Sequence, residues 1–402
     1  MRGTFQSTVE GTVDDALRRR RALDRAARAL PDPSVVSAVA SHLGGRCDGT
    51  HVVSPLAPRL SETLSLPGPL TFRSNTTQAI RDFVQLSLLH LLDPSHGRAA
   101  TPGRLLGVDA QHPAVREALR TTWSDMVEVP LAALALDPGC RLGEAARRRY
   151  RAIASEGAVS VAVIPHVLWF NGAILDVAGI CRALRSVAPD VVTIVDGAQA
   201  VGQVAPPELS DVDFYVGCGH KWLGGPETLG FASVSQRALG RCRRCAEALA
   251  AGDVLGEVGG LVERYQGSQH GTHQLGVAHG MLQALTLLDE RPGGLPAVRE
   301  LAKTLADRLR GGVADIAGLT LLGPAREASS SVVAFTTSDE RLRAIQAALD
   351  AEGFSPASYP LAAVTGGSGR FLRLSPGPDL TGDELERVLH ILQTTLPSTR
   401  HP

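Results

Sequence analysis

Lys221 and Lys303 are the only lysines in a chain that otherwise writes its basic positions as arginine, with 40 Lys and Arg in all. A guanidinium keeps its proton at any useful pH, whereas an amine can lose it and attack a carbonyl. Lys221 stands in "DFYVGCGHKWLGGPETLGF", just past an apolar run that predicts a buried strand. That makes it a candidate nucleophile. Upstream, "VVTIVDGAQA" puts Asp196 at the carboxyl end of a second buried strand. Ligands of open α/β sheets bind beyond the carboxyl ends of strands, and a carboxylate there calls for a cation. Taken alone, Asp196 reads better as a helix N-cap.

Together, a lysine and an acid at neighbouring strand ends suit pyridoxal phosphate. The lysine forms a Schiff base with the cofactor aldehyde, and the acid keeps the pyridine nitrogen protonated. "VDGAQAVGQV" and "DFYVGCGHKWLGGPETLGF" resemble the Asp-x-x-Gln and Ser-x-His-Lys elements of class V aminotransferase-like enzymes. That group, of pyridoxal-phosphate fold type I, includes cysteine desulfurases, kynureninases and isopenicillin N epimerase-like proteins. The resemblance covers residues 70 to 290 best. It implies that Lys221 carries the cofactor, that Gln199 bonds its phenolic oxygen, and that His220 contacts the phosphate or orients Lys221. "SNTTQAI" resembles the phosphate turn, with Thr76 and Thr77 where a strand meets a helix N-terminus. The local alternative is that Asn75 and the threonines cap the helix. His112 of "DAQHPAV" is similar to the residue that stacks on the cofactor ring, with Gln111 as the alternative one position earlier. "QHGTHQ" resembles the segment whose Gly271 and Thr272 reach the partner subunit's phosphate, which implies a homodimer with shared sites. "FLRLSP" resembles the Arg-x-Ser element, so Arg373 is expected to clamp a substrate carboxylate.

Departures from the pattern are equally informative. Cys218 replaces a serine two residues before the histidine. "PHVLWFNG" puts Trp169 where asparagine is common and Asn171 two positions later, so a floor built from His166, Trp169 and Asn171 is expected, with Asn171 near substrate. No cysteine lies between Glu352 and Arg373, which argues against a persulfide route. The first 60 residues lack the family's opening motif. "GCGHKW" is no dinucleotide fingerprint, because Trp222 stands at the third glycine position.

The elements that must hold these groups alternate. "PLTFRS", "RLLGVD", "VSVAVIPHV", "VVTIVDG", "DFYVGC" and "LGFASVS" read as strands, with amphipathic helices between most of them. The expected fold is α/β: a large domain with a mostly parallel sheet between helices, and a small C-terminal α+β domain. The boundaries read as an N-terminal helical segment over 1–60, the cofactor-binding domain over 61–290 and the small domain over 291–402. Residues 13–30 and 34–43 are predicted helices.

A net charge of -1 and 44% hydrophobic residues give no bulk attraction to nucleic acid or an anionic membrane. The runs Arg18–Arg21 and Arg147–Arg149 read as solvated helix faces. Six scattered cysteines, no apolar leader and no bilayer-length apolar run suggest a protein of the cytoplasm. Cys242 and Cys245 have CxxC spacing without a second ligand pair. The expected function is a pyridoxal-phosphate enzyme acting on a small amino substrate. An aminotransferase comes first, and a C–S or C–C lyase, epimerase or decarboxylating oxidase is the alternative.

Overall fold

The computed structural model describes residues 23–29, 31–43, 50–89, 103–137, 140–251, 275–323 and 329–395. Seven strands build the larger sheet: β1 (Leu70–Arg73), β2 (Arg104–Val108), β3 (Met126–Val129), β4 (Val159–Pro165), β5 (Val192–Asp196), β6 (Phe214–Cys218) and β7 (Gly230–Val234). Their order is β1-β7-β6-β5-β4-β2-β3. All neighbours are parallel except where β7 is involved, which runs against both β1 and β6. Strands β5, β6 and β7 are buried at every position, as near-continuous apolar runs require when helices cover both sheet faces.

The parallel register decides where chemistry can occur. Pro165 pairs with Asp196, and Asp196 with Val216, so the carboxyl ends of β4, β5 and β6 open on one sheet edge. Because β7 is reversed, β1 also delivers its carboxyl end there, just ahead of the helix Thr76–Leu89.

A second, antiparallel sheet has the order β10-β11-β9-β8, from β8 (Thr320–Leu321), β9 (Val333–Thr336), β10 (Ala357–Pro360) and β11 (Arg370–Leu374). The helices Gly294–Asp315, Asp339–Ala351 and Gly382–Thr394 share a core with it that includes Leu309, Phe335, Ile345, Leu372 and Leu385. Such a layer of helices on an antiparallel sheet is the expected α+β arrangement.

One helix reading is overturned. Residues 23–29 form turns, not helix, and residues 1–22 and 30 lie outside the described residues. Their backbone is bonded elsewhere: Ser375 N–H donates to the Leu23 carbonyl, and Ala29 N–H donates to that of His220 at 2.8 Å. Tertiary partners outweigh the helical periodicity of "RALDRAARAL" here. The helix Pro33–Leu43 agrees with its prediction, whereas Thr50–Leu64 was hidden by Pro55 and Pro58. Arg147, Arg148 and Arg149 lie exposed on the helix Leu142–Ser155. No helix among the described residues is long and apolar enough to cross a membrane.

Candidate active site

The Lys221 turn follows β6 directly. Gly219 N–H donates to the Leu229 carbonyl and Gly225 N–H to that of Gly219, both at 3.0 Å, which folds the turn back over the strand end. Lys221 makes no ion pair among the described residues, whereas Lys303, the other lysine, pairs with Asp307 one helical turn along. Lys221 and Asp196 face one cavity of about 310 Å³, whose wall also includes Thr76, His112, His220 and Arg373. Thr77 and Gln199 line it too.

Asp196 is 7% exposed. One carboxylate oxygen accepts from Ala198 N–H at 3.0 Å, and the other accepts from the Gln111 amide at 2.8 Å. Burial pushes this carboxyl above its ordinary value, against those two bonds and the nearby Lys221 charge. Such a group gains from a cationic N–H at close range. No helix opens after Asp196, so the Ala198 bond closes a turn rather than capping a helix, and it occupies only part of the acceptor capacity.

The turn after β1 separates capping from ligand binding. Asn75 caps the helix, its side-chain oxygen accepting from Gln78 N–H at 2.8 Å. Thr76 Oγ1 is left buried without a hydrogen-bond partner, and so is His220 Nδ1. The turn sits tight on β7, where a Cβ on Gly230 would lie 2.5 Å from the Asn75 carbonyl carbon. Buried polar atoms without partners are costly and rare, and two in the wall of one cavity beside a helix N-terminus suit a polar ligand group such as an anion. Cys218 lies alongside. Burial would raise its thiol, but the Lys221 charge and the neighbouring His220 and Thr76 side chains outweigh that and draw it below its ordinary value.

His112 lines the cavity and packs edge-on against Trp169, with centroids 5.4 Å apart. Burial and the charges of Lys221 and Arg373 lower its pKa to about 4, so it is a neutral ring at pH 7. Gln111 takes another part, as the donor to Asp196. Gln199 is anchored at both ends, donating to the Ala26 carbonyl at 2.7 Å and accepting from the Trp222 indole at 3.3 Å.

Arg373 reaches the cavity from β11 but is heavily engaged. One terminal nitrogen donates to the Trp169 carbonyl at 2.9 Å and the other to Asp24 at 2.6 Å, while the guanidinium lies 4.9 Å over the Tyr359 ring. The expected two-point clamp is therefore already occupied in part by the chain itself.

Two other expectations change. Asn171 is absent from the cavity wall; its amide donates to the Ala135 carbonyl at 2.8 Å and accepts from Ala173 N–H, holding the turn before the second sheet. Its expected substrate contact gives way to this backbone role. His166 points behind the site, with Nδ1 2.9 Å from the Tyr215 hydroxyl, and burial lowers its pKa to about 4. Of the expected floor, Trp169 alone lines the cavity. Thr272 and Gly271 lie outside the described residues.

The sequence reading missed the 23–29 segment. Ala26 and Ala27 line the cavity, and Asp24 bonds Arg373. Helical periodicity masked them, and their partners lie hundreds of residues away, beyond the reach of any local signal.

Known proteins share this fold. A cystine C–S lyase, C-DES, solved with its product cysteine persulfide, aligns over 93% of this chain and 97% of its own, with a TM-score of 0.72 and 19% identity. A variant of that lyase with glycine covalently linked to its PLP cofactor aligns over 94% and 97%, with a TM-score of 0.71 and 18% identity. At such identity the likeness establishes the fold, that of pyridoxal-phosphate fold type I. Isopenicillin N epimerase of Streptomyces clavuligerus is 41% identical over 76 residues, which span 18% of this chain and 18% of the epimerase. The class-V aminotransferase profile matches residues 142–386, which run from the helix before β4 to the last helix and include Asp196, Lys221 and Arg373. The chain belongs to the class V aminotransferase family, whose cofactor is pyridoxal phosphate.

Proposed function

We propose that the protein acts on the amino group of a small, amino-acid-derived substrate, with transamination as its reaction. One observation carries the reading. Lys221 and the buried Asp196 share a cavity with several buried, unpartnered polar atoms, Thr76 Oγ1 and His220 Nδ1 among them. These groups fit pyridoxal phosphate: the amine for its aldehyde, the carboxylate for its ring nitrogen, and Thr76, Thr77 and His220 for its phosphate. His112 would offer the ring a neutral aromatic surface, and Gln199 would border it.

When bound, the cofactor supplies a ring that takes up the electron pair left at the substrate α-carbon. The chain does the rest. Asp196, steadied by Gln111 and Ala198, stabilises positive charge at the ring nitrogen. Lys221 Nζ carries the α-proton as general base and then as general acid. His112, with its pKa of about 4, is not a second proton carrier at pH 7. A single mobile base suits transamination better than epimerisation, which draws on groups at both faces of the carbon. A C–S or C–C lyase is the second reading, favoured by Tyr359. Burial raises its phenol above the ordinary value, so it stays protonated and able to donate to a leaving atom.

Incubating the holoenzyme with amino acids and following keto acid, ammonia and sulfide tests the choice. Keto acid formed together with aminated cofactor supports transamination; ammonia or sulfide in stoichiometric yield replaces it with the lyase reading. The proposed working unit is a cytoplasmic homodimer with shared sites, built from a 1–60 segment, a 61–290 cofactor domain and a 291–402 small domain. Its test mixes Lys221→Ala with Thr272→Ala subunits. Shared sites predict activity above either parent; heterodimers with no recovered activity would confine Thr272 to its own subunit.

A further inference from the structure

The Asp24–Arg373 pair has no counterpart in the function just proposed. Arg373 is 2% exposed and lines the cavity, so its charge is committed to whatever sits beside it. Its neighbour is Asp24, whose carboxylate accepts from Nη2 at 2.6 Å. Nη1 is spent on the Trp169 carbonyl, and Nε is buried without a partner. Tyr359 covers one face of the guanidinium. A carboxylate arriving in the cavity therefore meets an arginine whose charge is already balanced and whose two terminal nitrogens each hold an acceptor.

Asp24 is not there by accident of a floppy side chain. It forms a backbone bridge with Ser375, two residues beyond Arg373. Ala26 N–H donates to the Ser375 hydroxyl at 3.0 Å, and Ser375 N–H to the Leu23 carbonyl at 2.6 Å. Gln199 and His220 hold the same segment through Ala26 and Ala29. Carboxylate and guanidinium are thus fixed on adjoining backbone.

We propose that Asp24 is a specificity-determining residue acting through Arg373: it turns the pocket away from free α-carboxylates and towards amino substrates whose corresponding group is uncharged, such as an amide or ester. The proposal rests on the amino-substrate reading above. A free carboxylate must displace or crowd a fixed, charge-assisted hydrogen bond, and truncated attraction from a neutralised pair does not compensate. An amide keeps the acceptor oxygen for a remaining Arg373 donor and brings no like charge against Asp24.

The test uses holoenzyme and matched probes: L-alanine, L-methionine and L-phenylalanine, each beside its α-carboxamide. Binding is read from the change in cofactor absorbance, and the acid-to-amide affinity ratio is the measured quantity. Asp24→Asn keeps the shape and removes the charge, so the ratio should rise about tenfold in favour of the acids, as expected for freeing one charged hydrogen bond. A role confined to folding would move both affinities together and leave the ratio unchanged, which would overturn the proposal. Should Asp24→Asn fail to fold, the wild-type ratio decides: amides binding at least as tightly as their acids support it, and a preference for the acids overturns it. If neither acids nor amides perturb the wild-type holoenzyme, the amino-substrate reading falls and this inference with it.

Discussion

The two sides of the cavity hold their charge in opposite ways: Lys221 makes no ion pair among the described residues, whereas Arg373 pairs with Asp24. Around Lys221, buried atoms of Thr76 and His220 lack partners and Asp196 is pushed towards protonation by burial. Around Arg373 the charge is matched within the chain, by Asp24 and the Trp169 carbonyl, although Arg373 Nε and Trp169 Nε1 are also buried without partners. Unmet buried donors cost stability, so a fold keeps them where a ligand repays the loss. The contrast supports the proposal that the first side seats the charged cofactor. In the proposed specificity, the second side selects through charge already neutralised within the chain.

The largest expected effect falls on Lys221. Lys221→Ala should cut turnover by about a thousandfold or more while the fold persists, and should abolish the visible band of lysine-bound cofactor. Lys221→Arg should do no better, since charge without an attacking amine is not enough. An unchanged band in Lys221→Ala would break the comparison, moving the attachment to Lys303. Next comes Asp196→Asn: cofactor retained, turnover down about 100- to 1000-fold. Near-normal turnover would reduce Asp196 to a cap for Ala198.

A third test concerns the sealed layer behind Asp196. His166 has a pKa near 4 when folded and about 6.5 when unfolded, so the unfolded chain binds the extra proton in that interval. Stability should be fully present above pH 6.5 and fall as pH drops towards 4, by about 3 kcal/mol from this group at most. Denaturant midpoints against pH measure it, and His166→Gln should flatten that slope. The smallest effect sharpens the contrast between cap and ligand donor. Thr76→Val should weaken pyridoxal phosphate about tenfold with little change in apo-protein stability. Asn75→Ala should instead cost about 1 kcal/mol of stability. Equal losses of cofactor affinity in the two variants would erase the distinction.

How much of this the sequence disclosed depends on the distance over which each feature is encoded. Strands β4 to β7 announce themselves as apolar runs, and Asp196 and Lys221 stand at or just beyond the ends of two of them, so the sheet and the placement of these two side chains were legible together. Thr76 was legible as a strand-to-helix turn, but its freedom from capping duty was not, since that depends on Asn75 reaching Gln78. Asn171 misled because its polarity looked functional, whereas its amide is consumed by backbone at Ala135 and Ala173. Asp24 was invisible: nothing local to "RALDRAARAL" reveals that residue 375 will claim the backbone. Helix Thr50–Leu64 failed for another reason, since two prolines contradict it locally and packing overrides them.

The Asp24–Ser375 bridge also sets an order of events during synthesis. Thr76, Asp196, His220 and Lys221 have all been made once β7 ends at Val234, so the groups proposed to seat the cofactor emerge as one consecutive block. The wall that carries Asp24 has to wait for Ser375. At about 5–20 residues per second, the intervening stretch takes on the order of ten seconds to translate. Nascent chains thus have an interval in which the lysine turn can form while the selective wall is still unmade. In the specificity proposed for Asp24, the wall that refuses is the one completed later.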